Sequence, residues 1–191
     1  LLGLVECVQE GARVVNFSLG KSSNLDTNND VFSSDFHDAE AANASAYMAA
    51  LLSRGFDFLV VQSAGNGAGD GIGVDAIHNG VFSSITDGNC PAYQGVSTRD
   101  IQDRILIVAA SSQPGTAGRI LTRFSNGGAQ VDIAAPGDTV YSAVPGGYVT
   151  MSGTSMSAPV VAGAAAVVWG MDPSLTGPEV RRYLLDNYLG H

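Results

Sequence analysis

Two short runs of apolar residues, interrupted only by Asp57, constrain the fold of this chain more than any other feature. They occupy residues 56–61 and 105–110, and the first lies directly behind a segment with helical periodicity. Strands that are apolar along their whole length are typical of parallel sheets, because helices cover both faces and neither face meets water. The sequence therefore predicts an α/β fold with three α/β/α layers around a mostly parallel central sheet.

Turn residues and apolar spacing divide the rest of the chain into alternating elements. Apolar residues at helical spacing predict helices over residues 1–10, 38–54, 154–170 and 178–189. Short β-branched or apolar runs predict strands over residues 14–18, 56–61, 105–110, 121–124, 131–133, 140–143 and 148–151. Thr176 and Glu179 form a T-x-x-E capping pair at the start of the last helix. No linker or repeat interrupts the 191 residues, so we expect one unit.

One long segment does not follow this alternation. Residues 67–103 are rich in Gly, Asn, Asp and Ser with isolated apolar positions. A connection of that length within a compact domain is uncommon unless it has a function. We therefore expect an elaborated functional loop with a short helix around residues 73–82.

Charge and hydropathy exclude several classes of function. The chain has 9 Lys and Arg against 18 Asp and Glu, a formal net charge of −9. Such a surface repels phosphate backbones and anionic lipids, so the sequence predicts neither nucleic-acid binding nor membrane binding. Uninterrupted apolar runs also stay below the roughly 18 residues that a spanning helix needs. We expect no membrane span.

The cysteines and acidic residues provide no sign of a cofactor. Cys7 and Cys90 could form one disulfide in a secreted protein, or Cys90 could be a buried free thiol, and the sequence leaves both open. Asp70, Asp75 and Asp87 lack the spacing of a calcium-binding EF-hand loop. The sequence therefore predicts no metal ligands and no cofactor, and it gives no support for structural calcium.

The segment Ser152-Gly153-Thr154-Ser155-Met156-Ser157-Ala158-Pro159 has the most specific chemistry in the chain. A Gly-Thr turn places Ser155 at the N-terminus of a helix, where unpaired N–H groups favour a developing negative charge. Pro159 lies close enough to that terminus to leave the helix intact. Ser155 is either an ordinary serine of a first helical turn or a nucleophile whose oxyanion is received by its own backbone N–H.

The whole run decides between these two interpretations. The pattern G-T-S-x-[SA]-x-P followed by V-A-G resembles the nucleophile signature of the subtilisin-like serine proteases, the subtilases. Further segments are similar to subtilase segments in the same order: Ser18-Leu19-Gly20, Ala64-Gly65-Asn66, Phe124-Ser125-Asn126 and Asp132-Ile133-Ala134-Ala135-Pro136-Gly137. The resemblance covers nearly all of the chain except the loop at 67–103.

The resemblance implies roles for three of these segments. Ser155 is the expected nucleophile, and Asn66 is the expected side-chain donor of the oxyanion hole, although A-G-N-G by itself is also an ordinary turn. The strand ends 18–20 and 63–65 would flank a polypeptide substrate in extended conformation, because small residues let a peptide backbone approach. The candidate substrate-binding residues are Ser18, Leu19, Gly20, Ser63, Ala64 and Gly65.

The general base and its orienting carboxylate are not found in this sequence. Subtilases carry the Asp in a D-[ST]-G turn and the His in an H-G-T-H-like helix start, and neither motif occurs here. His37, His78 and His191 stand in unrelated contexts. The first helical pattern begins at Leu1 without an N-cap, which suggests a C-terminal portion of a catalytic domain whose Asp and His lie upstream. The isolated chain is then expected to be inactive.

Three other functions fit the sequence less well. A dinucleotide site would need its glycines in the turn after a strand, whereas Gly71 and Gly73 follow ten residues later. The α/β-hydrolase elbow needs a second glycine that the Ser155 segment lacks. A non-catalytic subtilase-like binding domain is the remaining alternative, and an intact Ser155 and Asn66 count against it. Family resemblance further implies a secreted or cell-envelope protease.

Overall fold

The computed structural model describes residues 1–20, 34–67, 72–73, 75–90, 93–112 and 121–188. Side chains are described at all of these positions except 34–37, 78 and 188.

The centre of the molecule is a parallel sheet of four strands. In order across the sheet these are β1 (Val14–Phe17), β2 (Leu59–Ser63), β3 (Ile105–Ser111) and β4 (Ile133–Pro136). Every residue of β2 and β3 is buried, as the two apolar runs predict. In the described part of the chain β1 has one neighbouring strand, so its other edge is unpaired.

Helices cover both faces of this sheet, and the predicted three-layer arrangement is confirmed. Two cores result because successive side chains of a strand point to opposite faces: Val60 belongs to one core and Val61 to the other. The first core packs against α1 (Leu2–Gln9), α2 (Ser34–Leu52) and α3 (Thr98–Gln102). The second core packs against α4 (Thr154–Met171) and α5 (Gly177–Tyr188).

A separate antiparallel hairpin precedes α4. Its strands are β5 (Val140–Val144) and β6 (Gly147–Met151), and most of its residues are exposed. The rings of Tyr141 and Tyr148 stack on one face with centroids 5.5 Å apart. The opposite face carries apolar residues toward the start of α4.

The loop at 67–103 contains more helix than the sequence predicts. In place of one short helix around residues 73–82 there are two 3₁₀ turns, Ala76–Asn79 and Val81–Ser84. Helix α3 was not predicted, although Ser97 and Asp100 form a capping box at its start. Helix α3 has only five residues. It is too short to show the repeated apolar spacing by which a helix is recognised in a sequence, so its capping pair alone did not predict it.

The strand predicted at residues 121–124 is wrong. Leu121 makes an isolated antiparallel bridge with Ser111, and a turn closed by the Ser125 N–H on the Thr122 carbonyl follows at once. The apolar residues there do not extend the sheet, because β4 already occupies the edge of β3.

Helix α4 continues through Pro159 as expected. It is the one helix of the described residues that is long and apolar enough to cross a membrane, by length and composition alone. It packs across all four strands of the central sheet. The capping pair of α5 is also confirmed, since the Thr176 N–H and hydroxyl both donate to a Glu179 carboxylate oxygen at 2.8 Å.

Candidate active site

Ser155 is the second residue of α4 and lies beside the end of β1. Its hydroxyl donates to the Ser18 carbonyl at 3.4 Å, and the Ser18 hydroxyl donates to the Ser155 carbonyl at 2.9 Å. The Ser155 side chain is half-buried. At this position of a helix the backbone N–H has no partner within the helix, so it is available to a ligand.

Asn66 follows the end of β2 and is exposed. Its Oδ1 accepts hydrogen bonds from the Thr154 N–H at 2.8 Å and from the Thr154 hydroxyl at 2.9 Å. With the oxygen held in this way, both ends of the amide lie close to Gly153, where a built Cβ would be 3.3 Å from Nδ2 and 3.6 Å from Oδ1. The amide donor and the start of α4 are therefore adjacent.

Thr154 is a residue of the candidate site that sequence reasoning did not single out. It is fully buried, and its hydroxyl also accepts a hydrogen bond from the Gly65 N–H at 3.1 Å. The end of β2, the Asn66 amide and the first turn of α4 are thus joined through one side chain. The signal was present in the Gly153-Thr154-Ser155 motif, but a motif does not state what its middle residue contacts.

Asn126 holds the turn that carries Asn66. Its side chain donates to the Ala64 carbonyl at 2.9 Å and accepts from the Gly67 N–H at 2.7 Å, while its backbone N–H donates to the Gly65 carbonyl at 2.9 Å. Asn126 is 3% exposed. In the sequence, Asn126 stands out only as part of a segment similar to the family. Its hydrogen bonds to residues 64–67 join parts of the chain about sixty residues apart, so the sequence does not reveal them.

The segment 132–137 forms hydrogen bonds with the first turn of α4 and with the residue before it. The Gly153 N–H donates to the Gly137 carbonyl at 2.7 Å, and the Ser157 hydroxyl donates to the Ala135 carbonyl at 3.0 Å. A Cβ on Gly137 would lie 2.1 Å from the Ser157 hydroxyl oxygen, so a side chain there would displace the helix. This contact explains why the segment ends in glycine.

The carboxylate of Asp132 anchors that same segment at its start. It accepts from the Ile107 N–H at 2.8 Å and forms an ion pair with Arg181 of α5. Burial raises the pKa of Asp132, and the Arg181 charge opposes this rise. The pair stands at the opposite end of β4 from Ser155, so its role is structural.

The predicted substrate-binding residues lie at the ends of two adjacent strands. Ser63, Ala64 and Gly65 are buried at the end of β2, whereas Leu19 and Gly20 are exposed beyond β1. Strands β1 and β2 are paired up to Phe17 and Gln62. The two ends then separate, and Asn79 lies between them.

An open cavity of about 390 Å³ adjoins Ser155 on the side of the hairpin. Its walls are mainly apolar and include Val140, Val149, Met151, Met156 and Val160. On this side of the Ser155 hydroxyl, few polar groups are available to bind water or to form hydrogen bonds with a substrate.

The structure does not describe several of the remaining sequence candidates. The side chains of His37 and His78, and all of His191 and Asp70, lie outside the described residues. Cys7 is exposed on α1, Cys90 is buried, and the two are not bonded to each other. Among the described residues no three His, Cys, Asp or Glu side chains are grouped to hold a metal ion.

Comparison with known proteins identifies the class to which this arrangement belongs. The profile of the subtilase family matches residues 3–189, nearly the whole chain. The chain belongs to the subtilase family of serine proteases, and the resemblance found in the sequence is confirmed.

Three curated relatives match shorter parts of the chain. Subtilisin E of Bacillus subtilis (strain 168) is 44% identical over 71 residues, 36% of this chain and 19% of its own. The halolysin-like extracellular serine protease Nep of Natrialba magadii is 44% identical over 70 residues, 36% of this chain and 13% of its own. The subtilisin-like serine protease Pen ch 13.0101 of Penicillium rubens is 36% identical over 100 residues, 51% of this chain and 24% of its own.

The fold also matches a solved structure. A cold-adapted subtilisin-like serine proteinase superposes with a TM-score of 0.64 at 26% sequence identity. The match covers 97% of this chain and 52% of that protein. This chain therefore spans about half the length of the solved subtilisin-like structure.

Proposed function

We propose that this chain carries the nucleophile and oxyanion hole of a serine endopeptidase. The observation that carries the proposal is the Thr154 link, which holds the Asn66 amide beside the helix start that bears Ser155. In this proposal Asn66 Nδ2 and the Ser155 N–H are the two donors of the oxyanion hole. An oxyanion hole needs such preformed donors where charge develops.

The proposed reaction proceeds through an acyl-enzyme. Ser155 Oγ loses its proton to a general base and attacks the peptide carbonyl carbon, and the carbonyl oxygen becomes an oxyanion bound by the two donors. Collapse of this intermediate breaks the C–N bond, and the base gives its proton to the leaving amine. Water then attacks the ester, which releases the carboxylate product and restores Ser155. No cofactor takes part.

The substrate is proposed to be a polypeptide in extended conformation. It would lie along the strand ends 18–20 and 63–65, where main-chain groups pair with an added strand. Leu19, which lies in the first of these strand ends, is 65% exposed and is available to contact the substrate.

We further propose that the Asp and His of the triad belong to an N-terminal part of the same protein. Neither subtilase motif for these residues occurs in the 191 residues. The outer face of α4 supports a missing layer, because Val160, Val167 and Met171 are 47%, 62% and 76% exposed in a row of small and apolar residues. Exposed apolar faces of this kind usually meet another protein surface.

Secretion or a cell-envelope location is proposed from the relatives. The name of the Natrialba magadii relative describes an extracellular serine protease. The acidic, lysine-poor composition is compatible with that environment.

Labelling with a fluorophosphonate, which reacts only with an activated serine, tests the proposal. We expect the full-length protein to be labelled stoichiometrically at Ser155, and Ser155→Ala to abolish both labelling and peptide cleavage. Ser152→Ala is the matched control, since its hydroxyl lies in the same segment but contacts Asp138, and it should be labelled normally.

The isolated 191-residue chain, checked for folding by circular dichroism, should not be labelled. Rapid labelling of that chain would contradict the placement of the base outside it. A full-length protein that is folded but never labelled would favour the non-catalytic binding domain instead.

A further inference from the structure

We propose that Ser18 is a positioning residue for the nucleophile: its hydroxyl supplies the hydrogen bond that Pro159 denies to the Ser155 carbonyl, and it thereby holds Ser155 against the end of β1. This inference rests on the proposed function, because it concerns how Ser155 is placed to attack a peptide. Family resemblance implies only that Ser18 flanks the substrate, whereas its side chain is bonded to the helix that bears the nucleophile.

Pro159 leaves the Ser155 carbonyl without its helical donor. Helix α4 begins at Thr154 and contains Pro159 four residues after Ser155. In an α-helix the carbonyl of one residue accepts from the N–H four residues later. Proline has no N–H, and its ring crowds the carbonyl of the residue four positions before it. The missing hydrogen bond therefore falls on the very residue that bears the reacting hydroxyl.

The Ser18 hydroxyl provides a replacement donor from outside the helix. It donates to the Ser155 carbonyl at 2.9 Å across a separation of 137 residues in the sequence. The bond ties the first turn of α4 to the end of β1. Because residues 18–20 belong to the proposed substrate-binding strand ends, the same bond sets the backbone of the nucleophile relative to a peptide bound there.

Asn16 orients the Ser18 hydroxyl. The Asn16 Nδ2 group donates to the Ser18 hydroxyl oxygen at 3.0 Å. The single hydroxyl hydrogen has two acceptors within reach, the Ser155 carbonyl at 2.9 Å and Asn16 Oδ1 at 3.3 Å. The shorter bond is the one to Ser155, and the amide donor of Asn16 leaves the hydroxyl free to make it.

Loss of this bond should affect the rate of the chemical step more than the binding of substrate. Without the Ser18 hydroxyl the Ser155 carbonyl must turn to water, and the start of α4 shifts with it. Nucleophilic attack requires aligned atoms about 3–3.5 Å apart, and a misplacement of about 1 Å can cost roughly 100-fold in rate. Main-chain groups of residues 18–20, which are proposed to pair with the substrate, remain in place when only the Ser18 side chain is changed.

Steady-state cleavage of a peptide by the full-length protein tests the inference. Ser18→Ala should lower kcat by about tenfold and leave KM within about twofold of the wild type. Ser18→Thr, which keeps a hydroxyl, should recover most of the activity. A higher KM with unchanged kcat would overturn the inference, because the hydroxyl would then be a substrate contact. Equal losses in both variants would overturn it as well.

A second background tests the link to proline directly. Pro159→Ala restores an N–H that can donate to the Ser155 carbonyl, so the Ser18 hydroxyl is no longer its replacement. In that background Ser18→Ala should lower kcat by no more than about twofold, a coupling of the kind that double-mutant cycles measure. The same tenfold loss in both backgrounds would refute the inference, since Ser18 would then act independently of the helical hydrogen bond.

Asn16→Ala keeps the test falsifiable if Ser18→Ala does not fold. Asn16 is exposed, and its removal frees the Ser18 hydroxyl to rotate, so kcat should decrease by about two- to fivefold with KM unchanged. An unchanged kcat would contradict the orienting role. Circular dichroism confirms that each variant is folded before its kinetics are compared.

Ser53→Ala is the matched control. The Ser53 hydroxyl also donates to a backbone carbonyl, that of Ala50 at 3.1 Å, at the end of α2, and its loss should change neither kcat nor KM. A wild type that cleaves peptides no faster than Ser18→Ala refutes the positioning role and leaves the proposed function intact. A wild type that cleaves no peptide and resists fluorophosphonate refutes the proposed function itself.

Discussion

At the scale of single residues, the geometry of the candidate site depends on side chains that hold other side chains in place by hydrogen bonds. The orientation of the Asn66 amide is fixed because the N–H and the hydroxyl of Thr154 both donate to its oxygen. After Thr154→Val the backbone N–H donor would remain, but the hydroxyl donor would be lost. We accordingly expect Thr154 to act as a positioning residue.

Thr154→Val tests this role. Valine has nearly the same shape and leaves the backbone donor, so we expect a loss of about tenfold in kcat with little change in KM, equivalent to roughly 1.4 kcal/mol. Steady-state kinetics of the full-length protein measure it. Thr154→Ser, which keeps the hydroxyl, should recover most of the activity; equal losses in both variants would contradict the positioning role.

Asn126→Ala should be among the most destabilising substitutions in the loops. It leaves the buried Ala64 carbonyl and Gly67 N–H without their side-chain partner, at about 1–3 kcal/mol for each unsatisfied group. Chemical denaturation should show a decrease of about 2–4 kcal/mol in the free energy of unfolding. Asn187→Ala, at an asparagine on the exposed side of α5, should change it by no more than about 0.5 kcal/mol.

At the scale of elements, Asp57 connects the sheet to its last helix. Its carboxylate accepts from the Gly177 N–H, the first of α5, with both oxygens at 3.1 Å. Arg13 and Arg104 approach the same carboxylate at 3.3 and 3.5 Å. A carboxylate at a helix N-terminus satisfies free donors and interacts favourably with the helix dipole.

Asp57→Ala should therefore loosen α5 before it affects the strands. We expect the free energy of unfolding to decrease by about 1–2 kcal/mol, with faster hydrogen exchange in α5 than in β2 or β3. Asp103→Ala removes an ion pair with the exposed Arg99 and should cost no more than about 0.5 kcal/mol. Equal effects of the two substitutions would argue against the helix connection.

At the scale of the whole molecule, three carboxylates make the free energy of unfolding dependent on pH. Hydrogen bonds from a neighbouring Ser or Thr lower the pKa values of Asp100, Asp172 and Glu179. The unfolded chain then binds more protons than the folded one as pH falls through the ordinary carboxyl range near 4, so acid reduces stability. Asp132, whose pKa burial raises, acts in the opposite direction.

A triple variant separates these contributions. Asn and Gln in place of Asp100, Asp172 and Glu179 keep an acceptor oxygen but do not titrate. The wild type should lose stability between about pH 5 and 2, and the triple variant should lose less over the same range. Melting temperatures measured at each pH provide the comparison, and parallel curves for the two proteins would refute the assignment.

The sequence alone determined the family, the layered fold and the motif that bears the proposed nucleophile. These features are local: the apolar runs of β2 and β3 and the Gly153-Thr154-Ser155 motif each lie within a few consecutive residues. Periodicity and motif chemistry are sufficient to recognise such features. Where the apolar signal was short, as at residues 121–124, the prediction failed, because only the packed sheet decides which edge is already occupied.

Tertiary structure decided how the site is assembled. Asn126 braces a turn some sixty residues earlier, and Asn79 enters the gap between Gly20 and Gly65 from a loop that resembles no family motif. Neither contact has a periodicity or spacing to reveal it. Hydrogen bonds between residues far apart in sequence depend on where the strands end in space, and that is set by the fold of the whole sheet.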